Sequence, residues 1–202
     1  GVALLVPGVV TPVASASLTA EPTGRAAVQA IDASVLSTSP ETAAGSCWEI
    51  KQARSSARNG SYWLLTPSMP APAQFYCDQT TDGGGWVLIG KGRDGWTTEY
   101  AGKGNAAALQ SPDTVPMSSV THQLPSTTVD QLLDGGRPDA LSEGVRVRRA
   151  RNTGGTQWQE ARFTFADKSR WSWTFGAEHR IATWKFDILP GWGGTSESFG
   201  IS

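Results

Sequence analysis

Apolar positions in the second half of the chain recur every two residues. Val145 and Val147 alternate with Arg146 and Arg148, and Phe163 and Phe165 alternate with Arg162 and Thr164. Trp184, Phe186 and Ile188 share one face of the segment from Ile181 to Ile188. This is the period of strands with one buried side. Trp171, Trp173 and Phe175 alternate in the same way with Arg170, Ser172 and Thr174 beyond the polar stretch Ala166 to Ser169. The pattern predicts a hairpin pairing that run with the Phe163–Phe165 strand. In the first half the apolar blocks are shorter. Tyr62 to Leu65, Phe75 to Cys77 and Trp86 to Ile89 predict strands, the first two separated by a Pro-rich turn from Pro67 to Pro72. Ser46 and Glu49 stand at capping-box spacing, so a helix carrying Cys47, Ile50 and Lys51 starts there and stops near Asn59-Gly60. A second short helix is expected from Thr127 to Leu133, halted at Gly135-Gly136. Residues 90–104 and 113–126 follow neither period and read as loops. The fold class expected is α+β: a short capped helix packed on a largely antiparallel, twisted sheet, with an irregular, loop-rich remainder.

The amino end adds a question of compartment. Gly1 to Val10 is apolar and leads to Ala14-Ser15-Ala16, which reads as the core and A-x-A cleavage site of a secretory signal peptide over residues 1–16. A buried strand is disfavoured there by Pro7 and Pro12, and a membrane span by the short apolar length. An Ala/Ser/Thr/Pro-rich linker follows over 17–44, leaving one domain over 45–202. Nine Trp and 23 Gly among 202 residues describe a turn-rich fold with bulky packing units rather than a helical bundle. A formal net charge of −1 gives no general pull toward nucleic acid or acidic membranes. No internal repeat is visible.

Three segments carry a resemblance. Ser46-Cys47-Trp48-Glu49-Ile50, then Tyr76-Cys77-Asp78, then Asp82-Gly83-Gly84-Gly85-Trp86 hold the only two cysteines, a glycine run and the Trp that opens the next strand. Together they resemble the amino-terminal part of a fibrinogen-like domain. The version is that of secreted bacterial, especially actinobacterial, proteins, distantly similar to fibrinogen carboxy-terminal and intelectin-like domains. The resemblance is strongest through Trp86 and looser beyond it. It implies a fibrinogen-like fold and a secreted or wall-associated module at the front of a larger protein. It also implies a Cys47–Cys77 disulfide, which export favours and a helix followed by a hairpin permits. Gly191 to Ser202 is Gly/Ser-rich with no closing strand in view, so the domain is expected to be incomplete at its carboxy end. Animal relatives hold calcium and ligand in that carboxy-terminal part. No calcium ligand carries over, and the scattered Asp113, Asp130, Asp134, Asp139 and Asp187 do not form a run with six to eight oxygens.

Other residues admit a functional and a structural reading. Asp78 and Asp82 flank the glycine turn and are expected to bond turn amides. Gly83, Gly84 and Gly85 lack the Lys-Ser/Thr of a phosphate loop and read as tight turning into Trp86, itself read as a core anchor. Arg146, Arg148, Arg149 and Arg151 suit sulfated glycans or wall phosphates, yet their alternation with valines reads as an ordinary solvated strand face, with Glu143 and Glu160 available to neutralise it. His122 and His179 lie in no catalytic motif, and no pair of carboxylates stands out for glycoside hydrolysis. No catalytic residue, metal or cofactor is therefore assigned. Trp96, Tyr100 and Trp192 are candidates for stacking on a ligand. The expected function is non-catalytic recognition of an extracellular glycan or other surface ligand, without nucleic acid and without membrane insertion once the signal is removed. The alternatives are a structural or adhesive spacer, or an accessory domain of an extracellular carbohydrate-active enzyme.

Overall fold

The computed structural model describes the backbone of residues 2–7 and, in full, residues 32–97, 100–111, 120–173 and 179–195. Its architecture is α+β and mostly antiparallel sheet. Two four-stranded blocks make up the sheet. The first contains β2 (Gly60–Leu64), β3 (Ala73–Asp78) and β4 (Trp86–Gly92), with the short β5 (His122–Gln123) paired to the far end of β4. The second is the meander of β6 (Val145–Ala150), β7 (Trp158–Phe165), β8 (Ile181–Phe186) and β9 (Leu189–Trp192). Strand β1 (Val2–Pro7) lies between β4 and β6, antiparallel to both, and joins the blocks into one nine-stranded sheet. Among the described residues no helix is long and apolar enough to cross a membrane.

Helix α1 (Cys47–Ala53) starts where the capping pattern places it, with Ser46 accepting from the Glu49 amide at 3.0 Å. The reciprocal arm lands one residue early, since the Glu49 carboxylate accepts from the Gly45 amide at 2.6 Å. The helix ends at Ala53, short of the expected Asn59, because Asn59 is held by the other end of the block. Its Oδ1 accepts from the Gln79 amide at 2.6 Å and its Nδ2 donates to Thr80 at 3.0 Å. Helix α2 (Ser126–Leu132) matches expectation to within one residue and gives way to positive-φ Asp134 and Gly135. Its Asp130 accepts from the Trp171 amide at 2.9 Å.

Three strand expectations change. Strand β7 pairs with β8 and not with the run beginning at Trp171. Trp171, Ser172 and Trp173 are all buried in irregular chain, so the two-residue alternation seen there is not a half-exposed strand. Tertiary sites capture both indoles. Trp173 donates to the Leu124 carbonyl at 2.7 Å and lies so close over β4 that a Cβ on Gly90 would sit 2.6 Å from its ring, while Trp171 meets Trp173 edge-on at 5.4 Å. Thr174 and Phe175, the rest of that expected strand, lie outside the described residues. The Trp86 strand runs on to Gly92, with Gly90 leaving room for the Trp173 indole and Gly92 for Thr121. Finally, Ile188 sits in the turn after β8, and β9 lies at the sheet edge, where no strand was expected.

The amino-terminal readings meet the structure in two places. Val2–Pro7, part of the leader-like stretch, occupies the middle of the sheet. Pro7 is accommodated because it lies past the last β6 pairing, at Leu5, and faces only Trp86 of β4. Within the linker-like stretch, Leu36, Ser37 and Ala44 are buried, and the Ala44 amide donates to the Trp63 carbonyl at 3.1 Å.

Candidate functional site

The cysteine and glycine motifs build a corner on which the site rests. Cys47 at the start of α1 and Cys77 in β3 are disulfide-bonded, with Cα atoms 5.6 Å apart and 30 residues between them in sequence. Gln79 is fully buried beside the bond. Its side chain donates to the Cys47 carbonyl at 2.9 Å and accepts from the Gly85 amide at 3.1 Å. Gly83, Gly84 and Gly85 all have φ between 84 and 87°, a region that disfavours side chains. Packing reinforces the choice, since a Cβ on Gly84 would lie 2.5 Å from the Gln79 carbonyl oxygen and one on Gly85 2.7 Å from the Trp48 ring. The run turns the chain into Trp86, whose indole donates to the Thr81 carbonyl at 3.1 Å.

Around Trp86 the corner carries a charged cluster. Asp78 accepts through Oδ1 from the amides of Thr80 and Thr81, at 3.1 and 3.0 Å, and through Oδ2 from Arg146 at 2.6 Å. Burial pushes the Asp78 carboxyl up, but the Arg146 guanidinium and the turn amides together outweigh it and hold the group well below the usual carboxylate range. Arg146 is itself buried, at 2 % side-chain exposure, with its guanidinium 4.9 Å from the centre of the Trp86 ring. Arg162 reaches the same ring at 5.4 Å, pairs with Asp82 and donates to Glu160 at 2.7 Å. The expectation of a uniformly solvated arginine face is thus corrected. Arg148, Arg149 and Arg151 are exposed, whereas Arg146 is roofed by Asp78 and Trp86 from the other block.

Register then shows what shares this face. Arg146 stands opposite Arg162, Arg162 opposite Lys185, Thr164 opposite Thr183, and Thr183 opposite Trp192. Directly paired residues point to the same side of a sheet. One face therefore runs from the Trp86 cluster across Arg162 and Lys185, past the Thr164 and Thr183 hydroxyls bonded to each other at 2.7 Å, to Trp192 at the edge. Trp192 is 82 % exposed. The opposite face carries Phe163 and Phe165 into the core and Trp184 against Gly191.

The structure separates the aromatic candidates. Trp96 is half-buried and packs on Trp173 with ring centres 6.0 Å apart, so it belongs to the core's margin. Tyr100 is 60 % exposed, in the loop between β4 and β5. Trp192 lies at the other end of the sheet, five inter-strand steps from β4, a span of about 24 Å. No single ligand ring stacks on all three. The composite face of Trp192, the threonines and the arginine cluster was missed because its members come from four different strands, β6 to β9. The signal that could have found it was the two-residue period itself, carried one strand further to Trp192.

A second polar group lies beneath the sheet. Lys168 is buried, with Nζ donating to the Ser172 carbonyl at 2.9 Å and lying 4.6 and 5.0 Å from the centres of the Phe165 and Trp171 rings. Burial lowers its pKa to about 7, and Asp130 offsets only part of that. Burial and then the Lys168 charge also lower His179, whose Nε2 is 3.3 Å from the Ser172 hydroxyl. Ser172 is buried, so its hydroxyl packs inside the fold beside the imidazole. Between the lowered pKa of Lys168 and its unfolded value near 10.4, the unfolded chain holds the proton that the folded one has shed. Stability must then rise with pH across that window, by at most about 1.4 kcal/mol per unit. Urea unfolding at pH 7.5 and 9.5 is expected to show a gain of about 1–2 kcal/mol that Lys168→Met abolishes. A gain of the same size in the variant would assign the effect elsewhere.

Among the described residues no group of three or more His, Cys, Asp or Glu is placed to hold a metal ion. Asp113, one of the scattered acidic residues, lies outside the described residues. No family model and no curated protein matches the chain.

Proposed function

We propose that the chain is a non-catalytic extracellular recognition module on a fibrinogen-like scaffold, binding carbohydrate or another surface ligand through the face that ends at Trp192. The exposure of Trp192 beside two hydroxyls and a row of charged groups carries this reading. An indole gives a flat apolar platform for the C–H side of a sugar ring, and the neighbouring Thr164, Thr183, Lys185 and Arg162 supply the few polar contacts that fix orientation. The disulfide supports an oxidising compartment. The bonded helix and strand, together with the glycine corner leading into Trp86, support the scaffold.

The reading predicts retention on a glycan array or on immobilised wall polysaccharide. Trp192→Ala is expected to weaken that retention by about tenfold or more, as loss of a central aromatic anchor does. Tyr100→Ala, at the far end of the sheet, is expected to leave it unchanged. Absence of retention on every polysaccharide, or equal retention by Trp192→Ala, would remove this face from consideration.

A further inference from the structure

We infer that the gap between β4 and β6 is an acceptor slot for one extended apolar strand, and that Val2–Pro7 is a separable donor that fills it equally well as a detached segment. The inference is independent of the glycan reading. Because β1 is antiparallel to both neighbours, β4 and β6 run parallel to each other, two inter-strand spacings or about 10 Å apart. They cannot hydrogen-bond to each other at that distance. Without β1, two rows of backbone N–H and C=O groups face one another across a space one strand wide. Among the described residues the order β2-β3-β4-β1-β6-β7-β8-β9 shows no other strand joining the blocks.

The slot is specific in register and in chemistry. Val2 stands opposite Gly92 and Arg149, Ala3 opposite Lys91 and Arg148, Leu4 opposite Gly90 and Val147, and Leu5 opposite Leu88 and Arg146. Its two walls carry Val87, Leu88 and Ile89 on one side and Val145 and Val147 on the other, all buried. Val147, Leu88 and Val87 stand opposite Leu4, Leu5 and Val6, with Arg146 also opposite Leu5, while Lys91, Arg148 and Arg149 stand opposite Ala3 and Val2. The inner end of the slot therefore admits an apolar strand, and the segment Val-Ala-Leu-Leu-Val-Pro provides one.

In sequence the donor is joined to the body through residues 8–31. A stretch of that length reaches at most about 80 Å, and loop closure over it costs little more than over a short loop. Tethering therefore raises the local concentration of the donor without being needed to define the contact. The same residues carry the leader-like reading, so a cut at the A-x-A site would detach the donor and leave the slot to be filled from outside. A strand inserted between two edges is a recognised mode of peptide capture.

The test keeps the full chain. A protease site placed between residues 17 and 31 is cut after folding, and the nicked protein is compared with the uncut one by size exclusion. The amino-terminal fragment is expected to co-elute with the body. A fluorescent synthetic peptide of residues 1–8, in excess, is expected to exchange into the nicked protein with a saturable rise in anisotropy and to show no binding to the uncut chain. The same peptide with Leu4→Pro, which removes a ladder donor, is expected to bind roughly tenfold more weakly or worse. If release of the fragment unfolds the body, refolding on addition of the peptide supports the slot and failure to refold overturns it. Release from a body that stays folded and takes up no peptide overturns it, and so does equal binding by nicked and uncut protein.

Discussion

Asp78→Ala is expected to destabilise the protein by about 3–5 kcal/mol, the cost of leaving a buried guanidinium without its counter-ion. The reason lies in the Arg146 environment. Its side chain is 2 % exposed, its Nη2 donates to Asp78 at 2.6 Å, and its Nε lies 3.6 Å from the partly exposed Glu160. Glu160 is also shared with Arg162, so it cannot replace Asp78. The same substitution removes the acceptor for the Thr80 and Thr81 amides that shape the glycine corner. In a chain of this size the loss corresponds to a drop in Tm of about 10 °C. The double variant Asp78→Ala/Arg146→Met should recover part of it, because replacing both members of a buried pair by apolar groups is often neutral. A double variant as unstable as the single one would mean that the turn amides, and not the ion pair, dominate. The pH dependence gives an independent check. A carboxyl whose pKa is lowered by folding contributes stability above its unfolded value near 3.9 and loses it as pH falls below that value. Wild-type stability should therefore decline below about pH 4, and more steeply than that of Asp78→Ala.

That buried pair marks where reading the sequence ran out. The positions of Val145, Val147, Phe163 and Phe165 were legible because period-two burial is a local property, and their strands form as expected. The Ser46 cap and the glycine run were legible too, since a capping oxygen and a positive φ each leave a residue-type signature. Arg146 was not. Its neighbours in sequence resemble those of Arg148, yet only Arg146 lies under Asp78 and Trp86, which are some 60 residues away. Trp171 and Trp173 show the opposite failure. They have the alternation of a strand, but hydrogen bonds to Leu124 and Asp130 hold them in irregular chain. In both cases a long-range partner decides, and a local pattern cannot report it. The candidate face followed the same rule: Thr164, Thr183 and Trp192 become neighbours only once β7, β8 and β9 are paired.

Replacing both cysteines, Cys47→Ala/Cys77→Ala, is expected to cost about 3–4 kcal/mol, close to the loop-closure entropy of a cross-link of this span. The bond does more than restrict the unfolded chain. Gln79, on the residue after Asp78, reaches back to the Cys47 carbonyl and forward to the Gly85 amide, so the cross-link and the glycine corner share one buried amide side chain. Loss of the bond frees α1 to move from β3. Gln79 would then lose a partner, and a buried amide without one adds about 1–3 kcal/mol to the cost. The corner also sets Asp78 under Arg146, so the two perturbations should not be independent. Combining the double cysteine variant with Asp78→Ala is expected to cost less than the sum of the two, by about 0.5–3 kcal/mol, the range for residues in one network. Guanidinium unfolding of the four proteins measures this directly, with reduction of wild type as a substitution-free control. Strict additivity would show that the disulfide acts on the unfolded chain alone and leaves the charged cluster at Trp86 to hold itself in place.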